Sequence, residues 1–241
     1  MTDKDNMPKV VNWIGYLAIT LLVTIPLAVL TVRAGAWQQG LLLYALSCLG
    51  SLLVLLVAGT VMALPRFAHC RSAVRNRALL AVPGSLLLLS LVLGRGDYPP
   101  IHDITTDLDN PPVFAAAGQV RGKGSNSLAL KPEVIEAQAA AYPDLKTLVT
   151  RDPIEQAFER ALETAASLGW EVYHQDLNAG TIEAVDTTAV MAFKDDVVIR
   201  INTDADGTLV DLRSVSRVGI SDLGANAARI REFFQAFTEQ D

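Results

Sequence analysis

Cysteine is scarce in this sequence, and neither of its two cysteines lies beyond residue 70, so a disulfide framework is excluded for the C-terminal part. Acidic residues are missing from a long stretch, since none occurs between Asp5 and Asp97. Residues 1–94 therefore carry 7 basic and 2 acidic side chains, whereas the remainder carries 13 basic and 24 acidic ones. An acidic C-terminal part is a poor partner for phosphate backbones, so nucleic acid binding is not expected.

Long uncharged runs fill the N-terminal part. Residues 10–32 and 41–64 are each longer than the roughly 20 residues that cross a bilayer, and both are predicted to be transmembrane helices. Residues 78–94 form a third run of 17 residues, for which we predict a third span, with a re-entrant or interfacial segment as the alternative. No run contains a charged residue, which favours a membrane anchor over a transport pathway.

Basic residues flank these runs unevenly. The loop between the first two spans holds only Arg33, whereas the other side carries Lys4, Lys9, Arg66, Arg71, Arg75 and Arg77. The positive-inside rule then places the N-terminus and the Arg-rich loop in the cytoplasm. If residues 78–94 span, the rest of the chain emerges on the opposite face. In a bacterium this topology predicts a multi-pass protein of the inner membrane with a periplasmic C-terminal domain; without the third span, that domain would be cytoplasmic.

Residues 95–131 are predicted to be an extended linker and loop, because residues 96–112 contain four prolines and residues 121–127 are rich in glycine and serine. A histidine and three aspartates in this linker match no metal-ligand spacing, so we expect their carboxylates to cap turns. These residues are His102, Asp103, Asp107 and Asp109.

Residues 132–241 carry the periodicities of an α+β domain. A short helix is predicted over 132–141, and a longer amphipathic helix begins at Asp152-Pro153 and stops at Gly169. Four strands follow, at 170–176, 181–187, 197–203 and 209–217, joined by short turns. A last helix is predicted from Asp222, with Ser221 as its N-cap, to Phe237.

The predicted fold is therefore a membrane-anchored α+β protein. Three transmembrane helices precede a two-layer domain, in which a four-stranded antiparallel sheet is covered on its apolar face by two helices. The other sheet face, which includes Glu183, Arg200, Asp211 and Arg213, is expected to face solvent.

Four stretches of the C-terminal part resemble a known family. They are TDLDNPPVF at 106–114, GW at 169–170, FKDDVVIRI at 193–201 and RSVSRVGISDLGANAARI at 213–230. Together they resemble the 1499 family of domains of unknown function over residues 100–238, with the membrane helices as an added N-terminal region. The resemblance implies occurrence in bacterial envelope proteins and some plastid proteins, and it implies no activity or residue role.

No catalytic constellation is evident. The serines of residues 213–221 lack the G-x-S-x-G context of a nucleophile, and the C-terminal part offers only His102 and His174 as bases. Asp195 and Asp196 are interpreted as turn carboxylates at the start of a strand, where neighbouring side chains point to opposite faces. No catalytic residue, metal or cofactor is therefore expected.

The best-motivated binding site lies in residues 213–229, where a strand leads through a glycine-bearing loop into a helix N-terminus that favours anions. An anionic headgroup, glycan carboxylate or partner carboxylate would be the ligand of such a site, although a structural network is the favoured interpretation. Its residues are Arg213, Arg217, Ser221, Asn226 and Arg229.

A structural network is the alternative for these residues. In it, the arginines of the last strand pair with acidic neighbours such as Asp211, Glu183 or Asp222. Asn226, inside the apolar arc of its helix, would then tie loop 217–221 to the helix.

Three functions follow from this sequence. The leading hypothesis is a non-enzymatic binding or scaffold domain at the cell envelope, whose partners are the lipid bilayer and a protein or anionic envelope ligand. The second is an enzyme or receptor acting on an anionic envelope or lipid-linked ligand. The third is an accessory subunit of a membrane complex.

Overall fold

The computed structural model describes residues 7–94, 96–205 and 207–239. Lys4, which enters the topology prediction above, and residues 95, 206, 240 and 241 of the predicted ranges lie outside these residues. The chain divides between residues 95 and 96 into two compact units.

The first unit is helical. Helices α1 (Lys9–Arg33) and α2 (Trp37–Ala63) are followed by a 3-10 turn (Pro65–Cys70), α3 (Arg71–Ala78), a second 3-10 turn (Leu79–Ala81) and α4 (Val82–Leu93). Three segments are long and apolar enough to cross a membrane, namely Lys9–Arg33, Trp37–Ala63 and Pro65–Leu93.

The Arg-rich segment is helical, so its prediction as a loop was wrong. The apolar side chains of Val74 and Ala78, four residues apart in α3, are buried in a cluster with residues of α1 and α2. This packing favours a helix. The third candidate span consequently begins before the apolar run that suggested it. Ser47 of α2 also donates a hydrogen bond to the Thr24 hydroxyl of α1 over 2.9 Å, as expected for a helix-contact residue.

The second unit is built on an antiparallel sheet. Its strands are β1 (Asp103–Thr105), β2 (Leu148–Thr150), β3 (Glu171–Asp176), β4 (Thr181–Thr187), β5 (Lys194–Thr203) and β6 (Thr208–Ser216). The order across the sheet is β1-β6-β5-β4-β3, and β2 pairs with the other end of β6. The prediction of four strands was wrong because β1 and β2 have only three residues each, too few for an alternating pattern to show.

Helices α7 (Ile154–Ser167) and α8 (Ala225–Thr238) pack on the apolar face of the sheet, and the short helix α6 (Pro132–Ala141) joins the same core. Trp170 stacks on Phe233 of α8 with ring centroids 5.4 Å apart. Ile182, Ile199 and Leu212 from three adjacent strands lie beneath them with no exposed surface. This layer agrees with the predicted two helices on an apolar sheet face.

The opposite sheet face is also covered, which corrects the prediction that it faces solvent. The segment from Thr106 to Leu130, which contains the four-residue helix α5 (Ala117–Val120), hydrogen-bonds to side chains of that face. We call it the covering segment. Glu183, Asp211 and Arg213 are at most 4% exposed beneath it.

Candidate functional site

Four of the five predicted site residues form two pairs, which lie on opposite faces of the sheet. Arg213 in β6 and Arg217 just beyond it contact residues beneath the covering segment, whereas Asn226 and Arg229 lie on α8 against the opposite sheet face. Ser221 lies in the loop between β6 and α8. The sheet therefore separates the arginines, and the five side chains do not converge on one ligand position.

Arg213 fastens β1 and the covering segment to β6. Its Nε and Nη2 donate to the two carboxylate oxygens of Asp103 over 2.9 and 2.7 Å. Nη2 also donates to the carbonyl oxygen of Leu128 over 2.7 Å. Both side chains of the ion pair are only 5% exposed. A bidentate pair of this geometry fixes orientation as well as neutralising charge.

Arg217 takes part in a second buried cluster, centred on Asp196 of β5. Its Nε and Nη2 donate to Asp196 over 2.9 and 2.7 Å, and Nη1 of Arg121 in the covering segment donates over 2.7 Å. The Asp196 side chain is fully buried. Its hydrogen bonds raise the pKa of Arg217, while burial lowers the pKa of Arg121.

Glu183 of β4 binds the backbone of the covering segment directly. Its carboxylate accepts hydrogen bonds from the backbone N–H groups of Ala115, Ala116 and Ala117 over 2.5, 2.9 and 2.8 Å. The anion that these three N–H groups bind is therefore the Glu183 carboxylate of the protein itself.

Tyr173 bridges the two buried carboxylates. Its hydroxyl donates to Glu183 over 3.2 Å and lies 3.4 Å from an oxygen of Asp196. Burial, followed by the charges of Asp196 and Glu183, raises the pKa of Tyr173 far above its ordinary value.

The raised pKa of Tyr173 predicts a stability change at alkaline pH. The folded protein keeps the phenolic proton while the unfolded chain releases it near pH 10, so stability is fully present below that pH and falls as pH rises above it. Tyr173→Phe should lose less stability than the wild type between about pH 9 and 11. Equal pH slopes would contradict the proposed protonation. The other tyrosines contribute equally to both proteins.

These unfolding measurements can use a background in which Trp13 and Trp37 are replaced by phenylalanine, which leaves Trp170 as the only tryptophan. Its stacking on Phe233 makes its fluorescence a reporter of the C-terminal core. Urea titration of the full-length protein in mild detergent then gives the free energy of unfolding.

Arg229 organises the polar cluster on the helix side of the sheet. Its Nε donates to Asp186 over 2.8 Å and its Nη2 to Asp195 over 2.6 Å. Its Nη1 donates to the amide oxygen of Asn226 over 2.5 Å and to Ser214 over 3.1 Å. The arginine is 6% exposed.

Asn226 ties α8 to the strands, and not to loop 217–221 as predicted. Its amide nitrogen donates to the carbonyl oxygen of His102 and to the Ser216 hydroxyl over 3.1 and 3.0 Å. The loop is held instead by Asn126 of the covering segment, which donates to the carbonyl oxygens of Ser216 and Gly219 over 3.1 and 2.8 Å.

Ser221 is not the N-cap of α8, because the helix begins at Ala225. Leu223 and Gly224 have φ angles of +54° and +83°, and a left-handed pair cannot be part of a right-handed helix. The carboxylate of Asp222 accepts hydrogen bonds from the backbone N–H groups of Gly224 and Asn226, while the Ser221 hydroxyl donates to the carbonyl oxygen of Pro99 over 3.3 Å.

The left-handed backbone at Leu223 and Gly224 leads to two predictions of opposite sign. Leu223→Gly should raise the free energy of unfolding by up to about 1 kcal/mol, since the strained side chain is mostly exposed and its loss relieves the positive φ. Gly224→Ala should lower it by about 1–3 kcal/mol, because the new Cβ would lie 2.6 Å from the Tyr98 ring. Urea titration distinguishes the two, and equal effects would contradict the assigned backbone conformation.

Asp195 and Asp196 are not turn carboxylates, which corrects their interpretation from sequence. Both lie inside β5, at most 4% exposed. They do point to opposite faces, and each neutralises arginines on its own face.

The three arginines of the predicted anion site thus each contact carboxylates of this chain. Among the described residues, no group of three or more histidine, cysteine or acidic side chains is placed to hold a metal ion. The contacts favour the structural network, with Asp103, Asp186, Asp195 and Asp196 as its acids. These partners were missed because Asp103, for example, lies 110 residues from Arg213, and no local pattern relates the two positions.

Comparison with known proteins gives one family. Its model, described as a protein of unknown function (DUF1499), matches residues 103–237, from the first residue of β1 to the last turn of α8. No curated protein matches the chain. The match covers the entire sheet and both ion-pair clusters.

Proposed function

The chain belongs to the DUF1499 family of proteins of unknown function, and on this premise we propose that it is a multi-pass membrane protein with a non-enzymatic binding or scaffold domain at the cell envelope. The N-terminus and the start of the third candidate span face the cytoplasm, and the C-terminal domain faces the periplasm of a bacterial cell. Its partners are the lipid bilayer and a protein or anionic envelope ligand, and not a nucleic acid.

The observation that carries this proposal is the loop at residues 218–224. Ile220 and Leu223 are 80% and 64% exposed, three residues apart in one loop. Asn126 and the carboxylate of Asp222 fix the backbone around them. A rigid loop that presents two large apolar side chains is typical of a contact surface for another molecule.

The buried ion pairs on the two faces of the sheet support a structural role for the arginines. Arg213 and Arg229 are only 5% and 6% exposed as side chains, and each is bound to carboxylates of the chain. Their positive charge is therefore neutralised without a ligand.

Site-specific photocrosslinking tests the proposed surface. A photoreactive amino acid at position 220 in the membrane-embedded protein should give crosslinked species of discrete mass. The same group at Leu177, which is 46% exposed in a different turn, serves as the control and should give none. Equal crosslinking at the two positions, or none at 220, would exclude the loop as the binding surface.

An anionic ligand at the arginines is the second candidate, and Arg217 is the most accessible of the three at 14% side-chain exposure. Thermal unfolding in sulfate and in chloride at equal ionic strength separates the two candidates. Because sulfate also stabilises folded proteins in general, we expect it to raise the midpoints of the wild type and of Arg217→Met by the same amount. Stabilisation by sulfate that disappears in Arg217→Met would instead favour the enzyme or receptor hypothesis.

A further inference from the structure

The strongest unexplained polar group in the chain belongs to Arg77 of α3. The stem of this side chain lies against Gly15 of α1, where an added Cβ would come within 3.0 Å of Cδ and 3.4 Å of Nε. A glycine at position 15 therefore makes room for the arginine in the contact between the two helices.

The guanidinium group of Arg77 carries a positive charge. Its Nη1 is buried, and no described residue accepts a hydrogen bond from it. The sequence places no acidic residue between Asp5 and Asp97, so a carboxylate cannot come from this stretch of the chain. A buried donor on a charged group is costly unless it is paired. Arg77 as a whole is partly exposed, so an acceptor from outside the chain can reach this side chain.

The depth of this group in the bilayer is marked by aromatic residues. Gly15 lies between Trp13 and Tyr16, which are 61% and 63% exposed and pack edge to face. Exposed tryptophan and tyrosine at the end of a span favour the headgroup region. Phospholipid phosphates lie at this depth, and the planar fork of arginine matches their oxygens.

Further positive charge surrounds this position. Lys9 at the start of α1 and Arg71 and Arg75 on α3 are exposed, and the two helices pack in one cluster at this end of the unit. Several basic residues attract a lipid with net negative charge more strongly than a zwitterionic one.

We propose that Arg77 and the Gly15 notch form a binding site for the phosphate of an anionic phospholipid in the leaflet next to α3. The stem of Arg77 crosses the notch, its guanidinium group binds the phosphate, and the exposed basic residues select net negative headgroups. This site rests on the membrane insertion proposed above, and it is independent of what the C-terminal domain binds.

Native mass spectrometry of the full-length protein in mild detergent tests the site. Titration with phosphatidylglycerol should give a bound form that phosphatidylcholine at the same concentration does not. Arg77→Gln should weaken phosphatidylglycerol binding about tenfold, the effect of one charge-assisted hydrogen-bond pair. The control Arg33→Gln changes an arginine in the last turn of α1, at the end of that helix remote from Gly15, and should change binding by no more than about twofold.

Three results would overturn the proposal. They are equal losses in Arg77→Gln and Arg33→Gln, equal retention of the two lipids by the wild type, and a rise in melting temperature with inorganic phosphate alone that is as large as the rise with phosphatidylglycerol. If Arg77→Gln does not fold, Arg77→Lys keeps the charge and supplies the measurement. Phosphatidylglycerol should still raise its melting temperature more than phosphatidylcholine does, and an equal rise would again exclude the site. Photocrosslinking at residue 220 remains informative in every case.

Discussion

Replacing Asp196 by asparagine is expected to lower the free energy of unfolding of the C-terminal domain by about 3–5 kcal/mol. The change keeps the shape of the side chain but removes the charge that neutralises Arg121 and Arg217. Because Asp196 is fully buried, water cannot replace the interaction that its arginine partners lose. Urea titration followed by Trp170 fluorescence gives the value.

The matched control for Asp196→Asn is Asp144→Asn. Asp144 also accepts two hydrogen bonds from one arginine, Arg231, but the two side chains are 55% and 45% exposed. Solvent screening should limit its effect to less than about 1 kcal/mol. Similar losses in the two variants would show that the buried cluster contributes no more than a surface pair.

Glu183→Gln is expected to lower the free energy of unfolding by about 2–4 kcal/mol and to release the covering segment. The amide group replaces one of two acceptor oxygens by a donor, so one of the backbone N–H groups of Ala115–Ala117 loses its partner. The negative charge that all three donors face is lost as well.

Hydrogen–deuterium exchange of the full-length protein resolves the local part of this effect. Peptides covering residues 112–121 should exchange faster in Glu183→Gln than in the wild type, whereas peptides from α8 should change little. A control at Gln175 of β3, replaced by glutamate, alters an exposed position on a neighbouring strand and should leave both regions protected. Uniform acceleration across the domain would contradict a specific role in holding the covering segment.

Local patterns in the sequence predicted much of the fold. The apolar stripe of α7, the prolines at the starts of α6 and α7, and the alternation in β3 to β6 are set by residues close together in the chain. The three candidate spans likewise followed from length and composition. In each of these cases the burial that favours the element acts on a regularly spaced set of side chains.

The covering segment could not be predicted in this way. Its prolines and aspartates are typical of an exposed linker, and its placement depends on Asp103 meeting Arg213 and on backbone N–H groups meeting Glu183. Ion pairs between residues far apart in the chain leave no periodic pattern in the sequence. The same limitation applies to Asp195 and Asp196, whose burial is visible only once their arginine partners are in place.

The candidate site shows a related limit. Alternation correctly placed Arg213 and Arg217 opposite Ser214 and Ser216, but the sheet then separates these arginines from Arg229. The predicted start of α8 at Asp222 is three residues too early. No property of a leucine side chain predicts the left-handed backbone conformation at Leu223. The exposed loop at 218–224, on which the proposed function rests, is a product of that conformation.

Membrane topology is the most direct measurement of the central proposal. Fusions of alkaline phosphatase and of a fluorescent protein to the C-terminus report the periplasm and the cytoplasm, respectively, in bacterial cells. We expect an active phosphatase and a dark fluorescent fusion, since three spans place the C-terminal domain opposite the cytoplasmic N-terminus. A fluorescent C-terminal fusion with inactive phosphatase would contradict the proposal and place the domain in the cytoplasm.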